Sequence, residues 1–112
     1  MYYGTEKKLL PYIIKQDKTV LEALQKIDQN KKGFLIVIGN NDEVIGVLTD
    51  GDIRRAFIKG TSINDALEEI YTEKFKSLKL EDNIAGAIEL FKNESIEFLP
   101  IIDEDKKLKN II

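Results

Sequence analysis

The sequence contains no cysteine, no histidine and no tryptophan, and only two prolines. Without cysteine there is no disulfide, no thiolate metal ligand and no cysteine nucleophile. Without histidine there is no imidazole base and no Ser-His-Asp triad. A zinc site would have to be built from carboxylates alone. The cysteine-free composition fits a cytoplasmic setting. No apolar run approaches the ~20 residues of a membrane span, and the N-terminus lacks the apolar stretch of a signal peptide, so a membrane is not an expected partner. Arginine is scarce too: of 17 basic residues fifteen are lysine, and the two arginines adjoin at Arg54 and Arg55. Against 20 acidic residues the net charge is −3. With no basic stripe, nucleic acid is not an expected partner either.

What is present reads as a globular chain. Its 112 residues are 43% hydrophobic and 33% charged, enough for one ordinary domain or two small repeats sharing a core. Residues 19–31 read as an amphipathic helix, with Thr19 as N-cap and Val20, Ala23, Leu24 and Ile27 on one face. Residues 34–38 form a continuous apolar run, the pattern of a buried strand. The polar cluster 39–42 then turns the chain into a second strand at 44–48, making a hairpin. A helix is expected over 50–59, with Ile53, Ala56 and Phe57 inward and Gly60 as its stop. Ser62, with Asp65 in a variant capping box, is expected to open a short linker helix within 61–72.

The pattern then recurs. Displaced by 64 residues without a gap, Val20, Ala23, Leu24 and Ile27 fall on Ile84, Ala87, Ile88 and Phe91. Phe34, Leu35 and Ile38 fall on Phe98, Leu99 and Ile102, and Val44, Val47 and Leu48 on Leu108, Ile111 and Ile112. Few residues are identical, but the apolar pattern matches over about thirty positions, which indicates two structural repeats. The counterpart of Thr49 would follow Ile112, so the second repeat is expected to be truncated and the parent chain to continue.

The strongest local signal is Gly46–Arg55, GVLTDGDIRR, where a buried strand runs into a helix. A helix start offers unpaired N–H groups and a positive dipole end, favourable to an anion. Thr49 can give its hydroxyl to a phosphate, Gly51 allows close backbone approach, and Asp52 can accept from two vicinal ribose hydroxyls. Arg54 and Arg55 bring fork-shaped donors suited to phosphate. A structural reading stands beside this one. Thr49 or Asp50 can simply cap the helix, Asp52 can be a first-turn acid, and both arginines can be solvated. Asp50 and Asp52 also form an Asp-x-Asp pair, but no third carboxylate is placed beside them, so no metal is expected. Gly33-Phe34 opens the first strand and is a candidate pocket lining. Pro100 argues for an edge or ligand-facing position. Lys31-Lys32 and Lys106-Lys107 read as solvated ends of elements. Tyr2, Tyr3 and Tyr12 fit either partner contacts or core packing.

These residues resemble a known family. Two βαββα-like units, the string Gly46–Arg55 and the strand Phe98–Asp103 (FLPIID) are together similar to a pair of CBS domains (cystathionine-β-synthase domains). The resemblance spans about Leu10 to Ile112. It implies an α+β tandem CBS pair of pseudo-symmetric β-α-β-β-α repeats: repeat 1 at 10–60, a linker helix at 61–72, and an incomplete repeat 2 at 73–112. The longer string 47–60 is similar to CBS pairs of sugar-phosphate nucleotidyltransferases, some in legionaminic-type acid pathways, and of arabinose-5-phosphate isomerases. Met1 and the expected continuation after residue 112 favour the former. By resemblance, Thr49 contacts phosphate, Asp52 the ribose, and Lys32, Gly33 and Phe34 the base. Gly51, Arg54 and Arg55 complete the site. The implied ligand is AMP, ADP, ATP or S-adenosylmethionine, bound by a non-catalytic regulatory module joined to a C-terminal catalytic domain. A homodimer through CBS helices is implied too, with ligand-independent dimerisation as the alternative role.

Overall fold

The computed structural model describes residues 8–79, 85, 88–89, 91–92 and 97–112. Three short strands, β1 (Ile13–Lys15), β2 (Phe34–Ile38) and β3 (Val44–Thr49), form the first sheet, in that order. Helix α1 (Val20–Asn30) crosses from β1 to β2, which pair in parallel, and helix α2 (Asp50–Ile58) follows β3. Strands β4 (Leu78–Lys79), β5 (Pro100–Ile102) and β6 (Leu108–Ile111) form a second sheet of the same order.

The two sheets repeat each other in register. Ile14↔Val37 and Lys15↔Ile38 in the first correspond to Leu78↔Ile101 and Lys79↔Ile102 in the second. Both hairpins carry an irregularity at the same step, Val37/Ile38 and Ile101/Ile102. Both turns place a non-glycine residue in the left-handed region, Asp42 at φ 62 and Lys106 at φ 64. The displacement of 64 residues read from apolar pattern is therefore also a backbone repeat.

The turns are held differently. In the second, the Asp103 carboxylate accepts from the backbone N–H of Asp105 and of Lys107, each at 2.9 Å. In the first, Gly39 has no side chain and Glu43 folds back instead, accepting from the N–H of Asn41 at 3.1 Å. The N–H of Lys107, then that of Asp105, and the nearby Lys109 ammonium outweigh partial desolvation and hold the Asp103 carboxyl below its ordinary value. This stabilisation is complete above the ordinary aspartate value, near about pH 4. It is lost as pH falls through the lowered folded value. Asp103→Asn should therefore show a flatter loss of Tm below about pH 4 than the parent chain. Parallel acid-unfolding curves would refute the assignment.

Among the described residues three clusters make up the core. One lies between α1, α2 and the first sheet, around Leu35, Val37, Leu48, Ile53 and Leu67. The second lies between the two sheets, with Ile36, Val47 and Leu108 at its centre and Phe34, Phe75 and Phe98 at its border. A smaller third joins Leu78, Leu99 and Phe91. The sheet faces alternate as strand geometry requires: Leu35 and Val37 face the helices, whereas Ile36 and Ile38 face the other sheet. This explains why β2 is apolar at every position.

Capping fixes both α1 and α2. Thr19 and Glu22 form a reciprocal capping box on α1, and Thr49 and Asp52 form one on α2. Helix α2 stops at Gly60, φ +103, where Gly60 N–H bonds Phe57 O and Thr61 N–H bonds Ala56 O, each at 3.0 Å.

Four expectations are corrected. Phe57 is 39% exposed, because Ile53 and Ala56 occupy the stripe of α2 that meets the sheet and Phe57 is rotated to its flank. The linker helix within 61–72 is absent. The Asp65 carboxylate does accept from the Ser62 N–H, but the Ser62 hydroxyl accepts from the Asn64 N–H instead of that of Asp65, around a turn; Ala66 then bridges Thr19, and only Leu67–Glu69 winds, as a 3-10 turn. Pro100 is not on an edge: it is the buried first residue of the central strand β5, a position that tolerates a missing donor. Ile88 is 55% exposed, whereas its counterpart Leu24 is half-buried. The matched positions Ile84 and Ala87, with Tyr2 and Tyr3, lie outside the described residues.

Candidate functional site

The strand β3 delivers Thr49 to the sheet's end, and the chain turns directly into α2. There the Thr49 hydroxyl oxygen accepts from the Asp52 N–H at 3.1 Å, and Asp52 Oδ2 accepts from the Thr49 N–H at 3.0 Å. The structural reading of this pair is thus realised. It does not exhaust the groups: the Thr49 hydroxyl proton is not used by that bond, and both side chains border a cavity.

That cavity has a volume of ≈ 320 Å³. Its apolar walls are Val47, Phe75 and Phe98, and its polar rim is Thr49, Asp52, Thr72, Lys76 and Glu97. Both repeats contribute. A second cavity of ≈ 540 Å³ adjoins it through Thr49, Glu97 and Phe98, and extends over the start of α2 to Gly51, Gly33 and Phe34, with Lys31 and Lys32 at its edge. Together they form a groove from the space between the sheets to the N-terminus of α2.

The wall opposite α2 is an aromatic stack. Phe34 and Phe98, equivalent in the two repeats, stack with centroids 3.9 Å apart and planes 6° apart, and Tyr12 stacks on Phe34 at 5.8 Å. Asn30 positions the start of β2, its amide donating to the carbonyls of Phe34 at 3.2 Å and Pro11 at 2.9 Å. Gly33 sits at φ +78, where its carbonyl accepts from the Asp50 N–H at 3.1 Å. A Cβ there would also lie 3.2 Å from Asp50 Oδ2.

Residues 71–72 cross β3 and close the groove from the side. Val47 and Thr72 exchange backbone bonds of 3.0 and 2.8 Å. Gly46 permits this, since a Cβ there would lie 2.7 Å from the Thr72 carbonyl and run into the Tyr71 ring. Burial first, then Glu73 and Glu68, pushes the Tyr71 hydroxyl above its ordinary value.

The structure gathers Thr49, Gly51, Asp52, Lys32, Gly33 and Phe34 around this groove. Arg55 reaches it indirectly, bonded to Asp52 at 2.8 Å. Arg54 is exposed and borders neither cavity.

Residues 11–59 and 60–112 each match the family model of the CBS domain. The chain belongs to the CBS domain family. It is 33% identical over 92 residues to an uncharacterised protein of Helicobacter pylori J99, covering 81% of this chain and 28% of that protein. It is 28% identical over 94 residues to the arabinose 5-phosphate isomerase GutQ of Escherichia coli, covering 84% of this chain and 29% of the isomerase. This CBS pair thus spans under a third of the length of either relative. Among solved structures, a CBS domain protein of Pyrobaculum aerophilum complexed with AMP superimposes with TM-score 0.78 at 15% identity, over 91% of this chain and 79% of that one. The CBS pair of protein MJ0100, in complex with 5′-methylthioadenosine and S-adenosyl-L-methionine, gives 0.77 at 17% identity, over 91% and 80%. At these identities the structures establish the fold: a tandem CBS pair of α+β architecture.

The second repeat's cleft half is also visible. Val47, Lys76 and Phe98 of the ≈ 320 Å³ cavity correspond under the repeat to Ile111, Tyr12 and Phe34, which border a ≈ 450 Å³ cavity on the other side of the stack. Sequence reasoning missed Thr72, Phe75, Lys76 and Glu97. The last was within reach, because Glu97-Phe98 is the repeat counterpart of Gly33-Phe34. Thr72, Phe75 and Lys76 lie in an irregular segment without periodicity, and nothing in the sequence assigns them to a wall.

Proposed function

We propose that this CBS pair is a regulatory module that senses an adenosine-containing ligand in the groove between its repeats. The observation that carries the reading is the ≈ 320 Å³ cavity, apolar on the walls and edged by Thr49 and Asp52. An adenine base fits between Val47, Phe75 and Phe98 rather than against Lys32, Gly33 and Phe34, which border the ≈ 540 Å³ cavity at the start of α2; there a 5′-phosphate meets the Thr49 hydroxyl and the first turn, and the ribose diol meets Asp52 between them. Related folds bound to AMP and to S-adenosyl-L-methionine support this ligand class. The ligand acts by preferring one arrangement of the two repeats, and so biases an attached catalytic domain.

The parent enzyme we infer acts on sugar phosphates. The string 47–60 resembles CBS-linked sugar-phosphate nucleotidyltransferases of legionaminic-type pathways, and the 28% identity to GutQ favours an arabinose-5-phosphate isomerase as the alternative. A cytoplasmic homodimer is part of the reading. Leu21, Phe57, Ile58 and Ile63, all large apolar residues left exposed, favour contact between copies. Among the described residues no helix is long and apolar enough to cross a membrane.

Calorimetric titration of AMP, ADP, ATP and S-adenosylmethionine tests the sensing role. At least one should bind, and Asp52→Asn, which keeps an acceptor for the Thr49 N–H but lacks the charge, should weaken it about tenfold or more. Absence of binding by all four, or unchanged affinity in Asp52→Asn, would sink the reading.

A further inference from the structure

One oxygen of the carboxylate assigned to the ribose, Oδ1, already has two donors. Asp52 Oδ2 accepts from the Thr49 N–H at 3.0 Å, while Oδ1 accepts from Arg55 Nη2 at 2.8 Å and from the Thr72 hydroxyl at 3.4 Å. A ribose diol therefore cannot reach Oδ1 without displacing a donor. The two donors differ in how readily they leave. Thr72 is held by its backbone pairing with Val47, and its hydroxyl bond is long. Arg55 carries the short bond on a side chain 61% exposed, against 12% for Asp52, so water can receive the guanidinium when it departs.

Gly51 bears on the same contact. A Cβ at Gly51 would lie 3.1 Å from Arg55 Nη1 and 3.4 Å from Nη2, so the guanidinium rests over the first turn of α2. Gly51 also borders the ≈ 540 Å³ cavity where the helix N-terminus would receive a phosphate. A guanidinium released from Asp52 is thus already beside the phosphate position, with the planar fork that matches it.

The geometry points to Arg55 as a specificity residue that competes with ribose for Asp52 and is transferred to the 5′-phosphate, so that the groove favours phosphorylated adenosine over the bare nucleoside. Adenosine must displace Arg55 without replacing its partner; AMP displaces it and supplies one. This inference rests on the sensing role proposed above and adds to it which ligands the groove ranks higher and why.

The test compares adenosine and AMP on the parent chain and on Arg55→Met, which keeps an apolar stem and removes the guanidinium. Because an exposed ion pair of this kind is weak, adenosine should bind Arg55→Met about three- to fivefold more tightly than the parent. AMP should gain nothing, so the AMP-over-adenosine preference falls. A second readout needs no substitution. The chain has two arginines, so its arginine Nε–H spectrum holds two side-chain signals, of which that of Arg55 should move on addition of AMP while that of Arg54 stays. An unchanged or weaker adenosine affinity in Arg55→Met, or an Arg55 signal that stays still while AMP binds, overturns the inference and leaves the sensing role standing. Failure of the parent chain to bind either compound overturns the inference too, and removes the sensing role itself only where ADP, ATP and S-adenosylmethionine also fail to bind.

Discussion

Alanine at Phe98 should lower the unfolding free energy by about 2–3 kcal/mol, somewhat below the usual range for a fully buried phenylalanine because Phe98 is half-buried. The loss has two parts. One is apolar area withdrawn from the cluster between the sheets. The other is the stack with Phe34 at 3.9 Å, a contact worth about 0.5–1.5 kcal/mol beyond area. The Phe98 ring walls the ≈ 320 Å³, ≈ 540 Å³ and ≈ 450 Å³ cavities alike, so its removal should merge them and abolish nucleotide binding. Phe98→Leu separates the parts, keeping most of the area and losing the stack, at about 1 kcal/mol. Urea unfolding measures both. A loss under about 1 kcal/mol in Phe98→Ala would mean that the stack does not join the sheets.

Gly46→Ala should be nearly as damaging, although it adds a single methyl group. Its Cβ would meet backbone, the Thr72 carbonyl at 2.7 Å, as well as the Tyr71 ring. A ring can tilt; a carbonyl bonded to β3 must take its segment with it. The expected result is a loss of about 2–3 kcal/mol, the upper part of the overpacking range. The Val47 and Thr72 amides, bonded to each other's carbonyls in the parent, should lose hydrogen-exchange protection together. Nucleotide affinity should fall as well, since Thr72 borders the cavity and donates to Asp52. Retained protection at both amides would contradict this picture.

Both residues illustrate what the sequence discloses. The helix at 19–31, the hairpin and the gapless repeat were legible because apolar periodicity, capping residues and turn residues agree there. The repeat even placed Phe98 opposite Phe34, though not in contact with it. Pro100 misled because its ring is compatible with a central strand at one position, the first, and sequence alone does not mark which residue that is. The linker misled because the Asp65 carboxylate can accept from the Ser62 N–H in a turn as well as at a helix start. Thr49 and Asp52 were recognised by residue type. That Asp52 carries three donors at once was not legible, because Thr72 arrives from an irregular segment 20 residues on.

The two sheets touch at opposite ends of the first hairpin. At one end lies the Phe34–Phe98 stack; at the other, Val44 N–H bonds the Lys106 carbonyl at 2.7 Å and Glu43 bridges Lys107. Between these two contacts lies the apolar cluster around Ile36, Val47 and Leu108. Sliding one sheet over the other must shear all three, whereas a small rocking about the line joining the two contacts disturbs them least. A ligand seated in the proposed groove, to one side of that line, would act as a change of tilt between the repeats.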